Sequence, residues 1–192
     1  MANKGFSYER KICKELSLWW AHNKRDDVFW RTAGSGGRAT TRSKQNINTF
    51  GQFGDIQATD PIGQPFIDVF LTEIKRGYPN ATISNIIDAP PKTKANQLEE
   101  FIIKTTHSAK AAKTYSWMIL HKRDRREPVI ILPRQIAERL HLFTNCAHYN
   151  KLFCFVSFHT KQNIRHEITQ LLWSDFLQLV KPEQIIEISK QC

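Results

Sequence analysis

A glutamate and a lysine near the middle of the chain have the types and spacing of a hydrolytic site. Glu73 and Lys75 are two residues apart in segment 71–77, which reads as the end of a strand. Side chains alternate between the two faces of a strand, so Glu73 and Lys75 would point the same way and Ile74 the opposite way. A surface ion pair at a strand end is the simpler interpretation. Other residues of the chain are needed to distinguish a hydrolytic site from a surface ion pair.

A second carboxylate, Asp55, precedes Glu73 by 18 residues. Residues 54–59 have strand character, residues 60–65 contain the proline and glycine of a turn, and residues 66–71 are rich in β-branched and aromatic side chains. We therefore predict a hairpin whose register brings Asp55 close to Glu73.

Two carboxylates at one place repel each other unless something neutralises them. Mg²⁺ suits this task because it binds through one or two carboxylates and keeps several of its waters. Lys75, beside Glu73, could then orient or stabilise the water that attacks a substrate. This combination predicts a metal-dependent site.

A third acidic residue lies in the predicted first helix, residues 6–22. Ser7 is a plausible N-cap, and an apolar stripe follows at Ile12, Cys13, Leu16 and Trp20. Glu9 falls on the same stripe, where a carboxylate needs a partner. A position that suits the helix dipole is the alternative explanation.

Taken together, Glu9, Asp55, Glu73 and Lys75 resemble the PD-(D/E)XK nuclease superfamily, and most closely the archaeal-type Holliday junction resolvases. The resemblance is carried by five short motifs, which are residues 4–10, the Arg and Ser-Gly loop at 31–36, Asp55-Ile56, the E-x-K at 73–75, and the helix start at 97–101. It covers residues 4–122. Gly54 stands where the superfamily has its proline, the Asp55–Glu73 interval is somewhat long for a resolvase, and the last third of the chain has no recognised counterpart.

This resemblance implies a set of site residues. Asp55, Glu73 and the backbone carbonyl of Ile74 would hold Mg²⁺, for which Mn²⁺ would substitute, and Glu9 would bind a second cation or anchor the first through water. Lys75 would position the attacking water, while Ser35, Gln97 and, less directly, Arg31 would lie beside the site. The substrate would be branched DNA, cut by a homodimer.

The order of predicted elements is α-β-β-β-α-β followed by a C-terminal α/β part. This order indicates an α/β fold with a central mixed sheet, of the restriction-endonuclease-like type. We expect a nuclease core at residues 1–126 and an extension of the same domain at 127–192. The elements expected after the E-x-K segment are a helix capped at Thr93 or Asn96, strands at 115–121, 129–132, 152–158 and 168–173, and helices at 133–143 and 175–180, the last capped by Ser174.

The positive charge is concentrated in the expected core. Residues 1–126 contain 21 Lys and Arg against 12 Asp and Glu, whereas residues 127–192 contain 7 against 6. An excess of this kind favours contacts with phosphate groups, although a merely soluble basic surface would give the same count. The predicted DNA-binding residues are Arg31, Arg38, Arg42, Lys44, Arg76, Arg123, Arg125 and Arg126.

Several protein classes are disfavoured by composition. No apolar run approaches the ~20 residues of a membrane helix, and the first residues lack the apolar stretch of a signal peptide. The four cysteines include no CxxC pair, which argues against a zinc ribbon and for reduced thiols in the cytoplasm.

The leading hypothesis is a metal-dependent DNA endonuclease that recognises DNA structure. Two alternatives stay open: a restriction-like or phage-type endonuclease acting on ordinary duplex, and a DNA-binding protein that keeps the nuclease fold without cleaving. The acidic residues argue against the last, because a pure binder gains nothing from carboxylates that face phosphate.

Overall fold

The computed structural model describes residues 4–32, 53–88, 95–159 and 164–192. The chain forms two compact units. The first comprises Met1–Ile74, Ser108–Trp117 and Pro182–Cys192, and the second comprises Lys75–His107 and Met118–Lys181. The predicted division at residue 126, between a nuclease core and an extension of the same domain, stays a prediction.

The described residues form helices and strands in alternation. The helices are α1 (Lys4–Trp20), α2 (Gln64–Val69), α3 (Ser84–Ile87), α4 (Gln97–Ala112), α5 (Arg134–Arg139), α6 (Leu142–His148), α7 (Trp173–Leu179) and α8 (Pro182–Ser189), with a 3₁₀ turn at Pro61–Gly63. The strands are β1 (Phe29–Arg31), β2 (Ile56–Ala58), β3 (Phe70–Arg76), β4 (Ser116–Lys122), β5 (Val129–Pro133), β6 (Phe153–His159) and β7 (Arg165–Leu172). None of the helices among these residues is long and apolar enough to cross a membrane.

The strands form a short ribbon and a larger mixed sheet. β1 and β2 pair antiparallel, and the five-stranded sheet has the order β3-β4-β5-β7-β6. The pairs β4–β5, β5–β7 and β6–β7 are antiparallel. Hydrogen bonds from Tyr115 N to Asp68 O and from Gly77 N to Lys122 O join like ends of β3 and β4, which therefore run parallel. The crossover through α4 between them is what a parallel pair requires, and the predicted α/β class with a mixed sheet is confirmed.

The route from β2 to β3 differs from the predicted hairpin. Residues 66–69 belong to α2, and β3 begins only at Phe70. Pro65 in the first turn of α2 supplies a φ that suits a helix, and the buried Phe66 and Val69 are spaced as a helix face rather than a strand face. β2 consequently pairs with β1 instead of lying in a hairpin with β3.

Three C-terminal predictions also need correction. The helix predicted from Pro133 to Phe143 breaks at His141, whose φ of 55° ends α5 and begins α6. The last predicted helix, α7, begins at Trp173 after Leu172 and is not capped by Ser174. The helix α8 was not predicted, although Pro182 in its first turn and the buried Ile185 and Ile188 are sequence signals for it.

An aromatic cluster fixes the interior of the first unit. Trp20 packs edge-to-face on Phe29 and Phe66, with ring centroids 5.8 and 5.9 Å apart, and Phe66 lies 5.4 Å from Phe70. Trp20 also donates its indole N–H to the carbonyl of Ile62 at 2.9 Å, so its polar atom is satisfied. This cluster holds α1, β1 and α2 together around the start of β3.

The second unit has its own core. Buried apolar side chains of β4, β5 and β7 pack with those of α5–α7, and the members with no exposed surface include Met118, Ile119, Leu120, Ile130, Ile131, Leu132 and Phe176. α4 begins after Asn96, whose side chain accepts the N–H of Leu98 at 2.8 Å. Of the two predicted caps, Asn96 is therefore the one used.

Gly54 has a backbone conformation that few other residues adopt. Its φ is +74°, and a Cβ built on it would lie 2.8 Å from the carbonyl oxygen of Thr72. Proline cannot take this conformation because its ring holds φ near −65°. The glycine at the superfamily's proline position thus lets the backbone approach β3 closely just before Asp55.

We expect Gly54→Ala to reduce the free energy of unfolding by roughly 2–5 kcal/mol, because it adds a collision with Thr72 O to the strain of a positive φ. Gly77→Ala is the matched control, since Gly77 has a φ of +89° and nothing within 4 Å of its added Cβ. The control should lose only about 1–2 kcal/mol. Urea denaturation of the two variants measures the difference, and equal losses would contradict the close approach.

Candidate functional site

Asp55 makes three backbone-linked hydrogen bonds, two of them to the outer edge of β3 and one to Thr32. Its N–H donates to Thr72 O at 2.8 Å, its carbonyl accepts the N–H of Thr32 at 3.0 Å, and its side-chain Oδ2 accepts the N–H of Ile74 at 2.7 Å. β3 is the first strand in the sheet order, so its outer edge has no neighbouring strand among the described residues. The Asp55 segment therefore takes the place of a strand partner, and its buried carboxylate satisfies an edge N–H group.

The bonds of Asp55 bracket Glu73 along the chain. Thr72 and Ile74 are buried, whereas the side chain of Glu73 is half-buried. This alternation agrees with the predicted strand faces. Asp55 and Glu73 are thus neighbours, as the sequence predicted. The chain between them forms a 3₁₀ turn and α2 rather than the turn of a hairpin.

Lys75, two residues further along β3, is the first residue of the second unit. Its side chain is half-buried, and its Nζ lies 5.5 Å from the centroid of the Phe101 ring on α4. Phe101 in turn packs edge-to-face on Tyr78, with centroids 5.1 Å apart. A cation over an aromatic face is stabilised in its charged form, so the second unit contains a specific support for the lysine of the E-x-K segment.

Glu9 has the partner that its position on the apolar stripe demanded. Its Oε2 accepts a hydrogen bond from Arg31 Nε at 2.9 Å, and both side chains are largely buried. The guanidinium of Arg31 also lies 4.1 Å from the centroid of the Phe6 ring. The helix dipole alone is therefore not the reason for an acidic residue at position 9, and Arg31 is tied to Glu9 in the first unit.

The Cys13 thiol is influenced by two of the carboxylates. Burial raises its pKa to about 12, with the negative charges of Glu9 and Asp55 acting in the same direction and Arg31 opposing them. The thiol stays protonated at neutral pH, and a neutral buried thiol is a poor metal ligand.

The donor set at Asp55 and Glu73 has the chemistry of a magnesium site with few protein ligands. Two carboxylates and the Ile74 carbonyl are hard oxygen donors, and Mg²⁺ takes its remaining ligands from water and phosphate. Within the described ranges, no group of three or more His, Cys, Asp and Glu is arranged to hold a metal ion. A compact triad of Glu9, Asp55 and Glu73 is consequently not formed, and the two-carboxylate set is the one that fits.

The other predicted residues are distributed as follows. Gln97 is the first residue of α4 in the second unit and is half-buried. Arg76 is exposed at the end of β3, and the turn after β4 carries Arg123, half-exposed, and Arg125 and Arg126, both exposed. Ser35, Arg38, Arg42 and Lys44 lie outside the described residues.

Sequence reasoning missed several groups around Asp55. The hydroxyl groups of Thr32 and Thr72 are buried and have no hydrogen-bond partner among the described residues, and both threonines bond to the Asp55 backbone. The pairing of Arg31 with Glu9 was not predicted either. Strand alternation from Phe29 was the available signal, because it points Arg31 inward, towards the face of α1 that carries Glu9.

A cavity of about 410 Å³ in the first unit lies apart from this chemistry. Its lining includes Phe53, Gln57, Asp68 and Lys113 but neither Asp55 nor Glu73. The two carboxylates lie at the covered edge of β3 instead, where Asp55 is buried and Glu73 is half-buried.

Comparison with known proteins gives one positive result. No curated protein and no solved structure matches the chain. A family model described as "Phage putative PDDEXK endonuclease" matches residues 1–187. Because that match spans almost the whole sequence and includes Asp55 and the E-x-K strand, the chain belongs to this phage PDDEXK endonuclease family.

Proposed function

We propose that the protein is a divalent-metal-dependent endodeoxyribonuclease that uses Mg²⁺, with Mn²⁺ as a substitute. The observation that carries the proposal is the hydrogen bond between Ile74 N and Asp55 Oδ2, because it fixes a buried carboxylate against the E-x-K strand. Membership of an endonuclease family supports the same class of reaction.

Each residue has a defined task in the proposed reaction. Asp55 and Glu73 bind the cation together with the carbonyl of Ile74, and Glu9 anchors the site through water or binds a second cation. Lys75 positions the attacking water, and Phe101 restrains the lysine ammonium. A bound divalent cation offsets the negative charge that develops on the scissile phosphate. Ser35 and Gln97 complete the site on the strength of the resemblance alone.

Basic side chains supply the proposed contacts with the DNA backbone. The excess of positive charge lies in residues 1–126. Exposed arginines lie at the end of β3 and in the turn after β4. The residues proposed for this role are Arg31, Arg38, Arg42, Lys44, Arg76, Arg123, Arg125 and Arg126. All four cysteines are free thiols, which is compatible with the proposed cytoplasmic location.

We propose branched DNA as the substrate and a homodimer as the active form. The order of motifs resembles that of junction resolvases, and two symmetric cuts need two active sites related by a two-fold axis. The interface must come from exposed apolar surface, and Trp20 and the apolar residues 116–120 are buried in the protein itself. Strand β6 is the better candidate, because it ends the sheet and exposes Phe153 by 41% and Phe155 by 39%.

The second candidate is an endonuclease that cuts ordinary duplex. The description of the matched family favours it, since that description names a phage endonuclease and no junction. In this alternative, residues 127–192 would supply the sequence or structure preference.

We expect Asp55→Asn, Glu73→Gln and Lys75→Ala each to lower cleavage by about 10²–10³-fold or more, because each removes a group that stabilises charge or orients water. Asn at position 55 keeps an oxygen acceptor for Ile74 N–H, so the fold should survive. Gel assays on plasmid and on four-way junction, with Mg²⁺ and with EDTA, measure the effect.

The matched control is Glu100→Ala, which removes an exposed carboxylate from α4 and should cleave like the wild type. Wild-type rates in Asp55→Asn would contradict the site. A wild-type protein that binds DNA but never cuts it, with any divalent cation, would favour the non-cleaving alternative.

We expect the wild type to have the mass of two chains in solution and to bind a four-way junction more tightly than a matched duplex. Replacing Phe153 and Phe155 with lysine should give monomers, because lysine on an exposed sheet edge opposes pairing. The control is Ile87→Lys, at a side chain that is 71% exposed in α3. A wild-type monomer without junction preference would rule out the resolvase-like proposal and leave the duplex endonuclease.

A further inference from the structure

Two large aromatic side chains are exposed on the first unit beside Glu9 and Arg31. Phe6, in the first turn of α1, is 42% exposed, and Trp30, in the middle of β1, is 47% exposed. Of the five tryptophans, Trp20, Trp117 and Trp173 are buried and Trp19 is half-buried. Trp30 is therefore the exception in this chain, and its position needs a reason.

Strand geometry explains why Trp30 points outward but not why the residue is tryptophan. Phe29 is buried and Arg31 turns back towards Glu9, so alternation leaves position 30 on the solvent face. The residue opposite Trp30 in β2 is Gln57. A solvent-facing strand position needs no large ring for packing, and an exposed indole lacks the hydrophobic stabilisation that burial gives.

Both exposed rings are accompanied by arginine. The guanidinium of Arg10 lies 6.0 Å from the Trp30 ring centroid, and that of Arg31 lies 4.1 Å from the Phe6 centroid. Arg31 is largely buried and bonds to Glu9 at 2.9 Å, so the exposed pair is Trp30 with Arg10. Trp30 and Arg10 are called the aromatic–arginine surface below.

The composition of this surface matches one kind of partner. An indole face stacks on a nucleobase, and a neighbouring guanidinium meets the phosphate of the same strand. The area that one exposed ring and one arginine can offer is far smaller than the ~800 Å² that each partner gives to a stable protein interface. Residues 1–126 contain more Lys and Arg than Asp and Glu, and this positive charge is complementary to a polyanion.

We propose that the aromatic–arginine surface binds an unstacked nucleotide of the DNA substrate, with Trp30 stacking on its base and Arg10 on its phosphate. Bases inside a closed duplex already stack on their neighbours and hide their faces, so this contact requires an unpaired or branch-point nucleotide. The inference rests on the proposed nuclease function and deepens it, because it makes Trp30 a residue that selects DNA containing unpaired bases.

The test compares Trp30→Ala and Trp30→Phe with the wild type in EDTA, so that binding is measured without cleavage. The ligands are a single-stranded oligonucleotide, a duplex with a short single-stranded flap, and a fully paired blunt duplex. Trp30→Ala should weaken binding to the first two by about 5- to 150-fold, the range for removal of one base–aromatic stack. Affinity for the blunt duplex should not change, and Trp30→Phe should retain most of the wild-type affinity.

Two controls separate stacking from other effects. Ile62→Ala removes a side chain that is 48% exposed in the same unit. The carbonyl of Ile62 accepts a hydrogen bond from Trp20. Trp20 is ten residues, or about 15 Å, along α1 from Arg10. Replacement of Ile62 should therefore leave all affinities unchanged. Stacking releases no counterions, so Trp30→Ala should keep the wild-type salt slope. Neutralising Arg123, Arg125 and Arg126 together should instead reduce that slope by about 0.7 for each single-strand phosphate that these arginines no longer neutralise.

Tryptophan fluorescence gives a direct readout. Single-stranded DNA should quench part of the wild-type emission, and Trp30→Phe should abolish that quenching. Wild-type affinity of Trp30→Ala for unpaired DNA, or an equal decrease for blunt duplex, would overturn the inference while leaving the nuclease proposal intact. Normal stacking by a protein that cleaves nothing would support the stacking interaction and remove the nuclease function.

Discussion

The hydrogen bond between Ile74 N and Asp55 Oδ2 is the interaction on which the candidate site depends. An edge strand leaves backbone groups without partners, and a buried carboxylate needs donors, so each satisfies the other. The close approach is possible only because Gly54 has no side chain and a φ of +74°. The same interaction sets the position of Asp55 relative to Glu73, and therefore the donors that a cation would meet.

Charge balance explains the arrangement around that hydrogen bond. Glu9 and Asp55 both act on the buried Cys13 thiol, and Arg31 supplies the opposing charge. Glu9 is paired to Arg31, and Asp55 and Glu73 are the carboxylates of the proposed cation site. Lys75 lies over Phe101 in the second unit.

Local sequence signals predicted most of the elements and the neighbouring positions of Asp55 and Glu73. β3 and β4 were recognisable from their runs of apolar residues, and α1 and α4 from their apolar stripes. Residues 66–69 were assigned to a strand because Phe66, Ile67 and Val69 favour strands locally, whereas packing of Phe66 against Trp20 and Phe29 stabilises a helix. Propensity cannot show such long-range packing. The pairing of Arg31 with Glu9 joins elements 22 residues apart, and the positive φ of Gly54 depends on its approach to Thr72, so neither could be read from spacing alone.

The proposed nuclease site requires Asp55 and Glu73 to bind the same cation. Anomalous diffraction from crystals soaked in Mn²⁺ tests it directly, with crystals of Asp55→Asn treated in the same way for comparison. We expect a wild-type peak within bonding distance of carboxylate oxygens of both residues and no such peak in the variant. A peak elsewhere on the protein, or none at these two carboxylates, would contradict it.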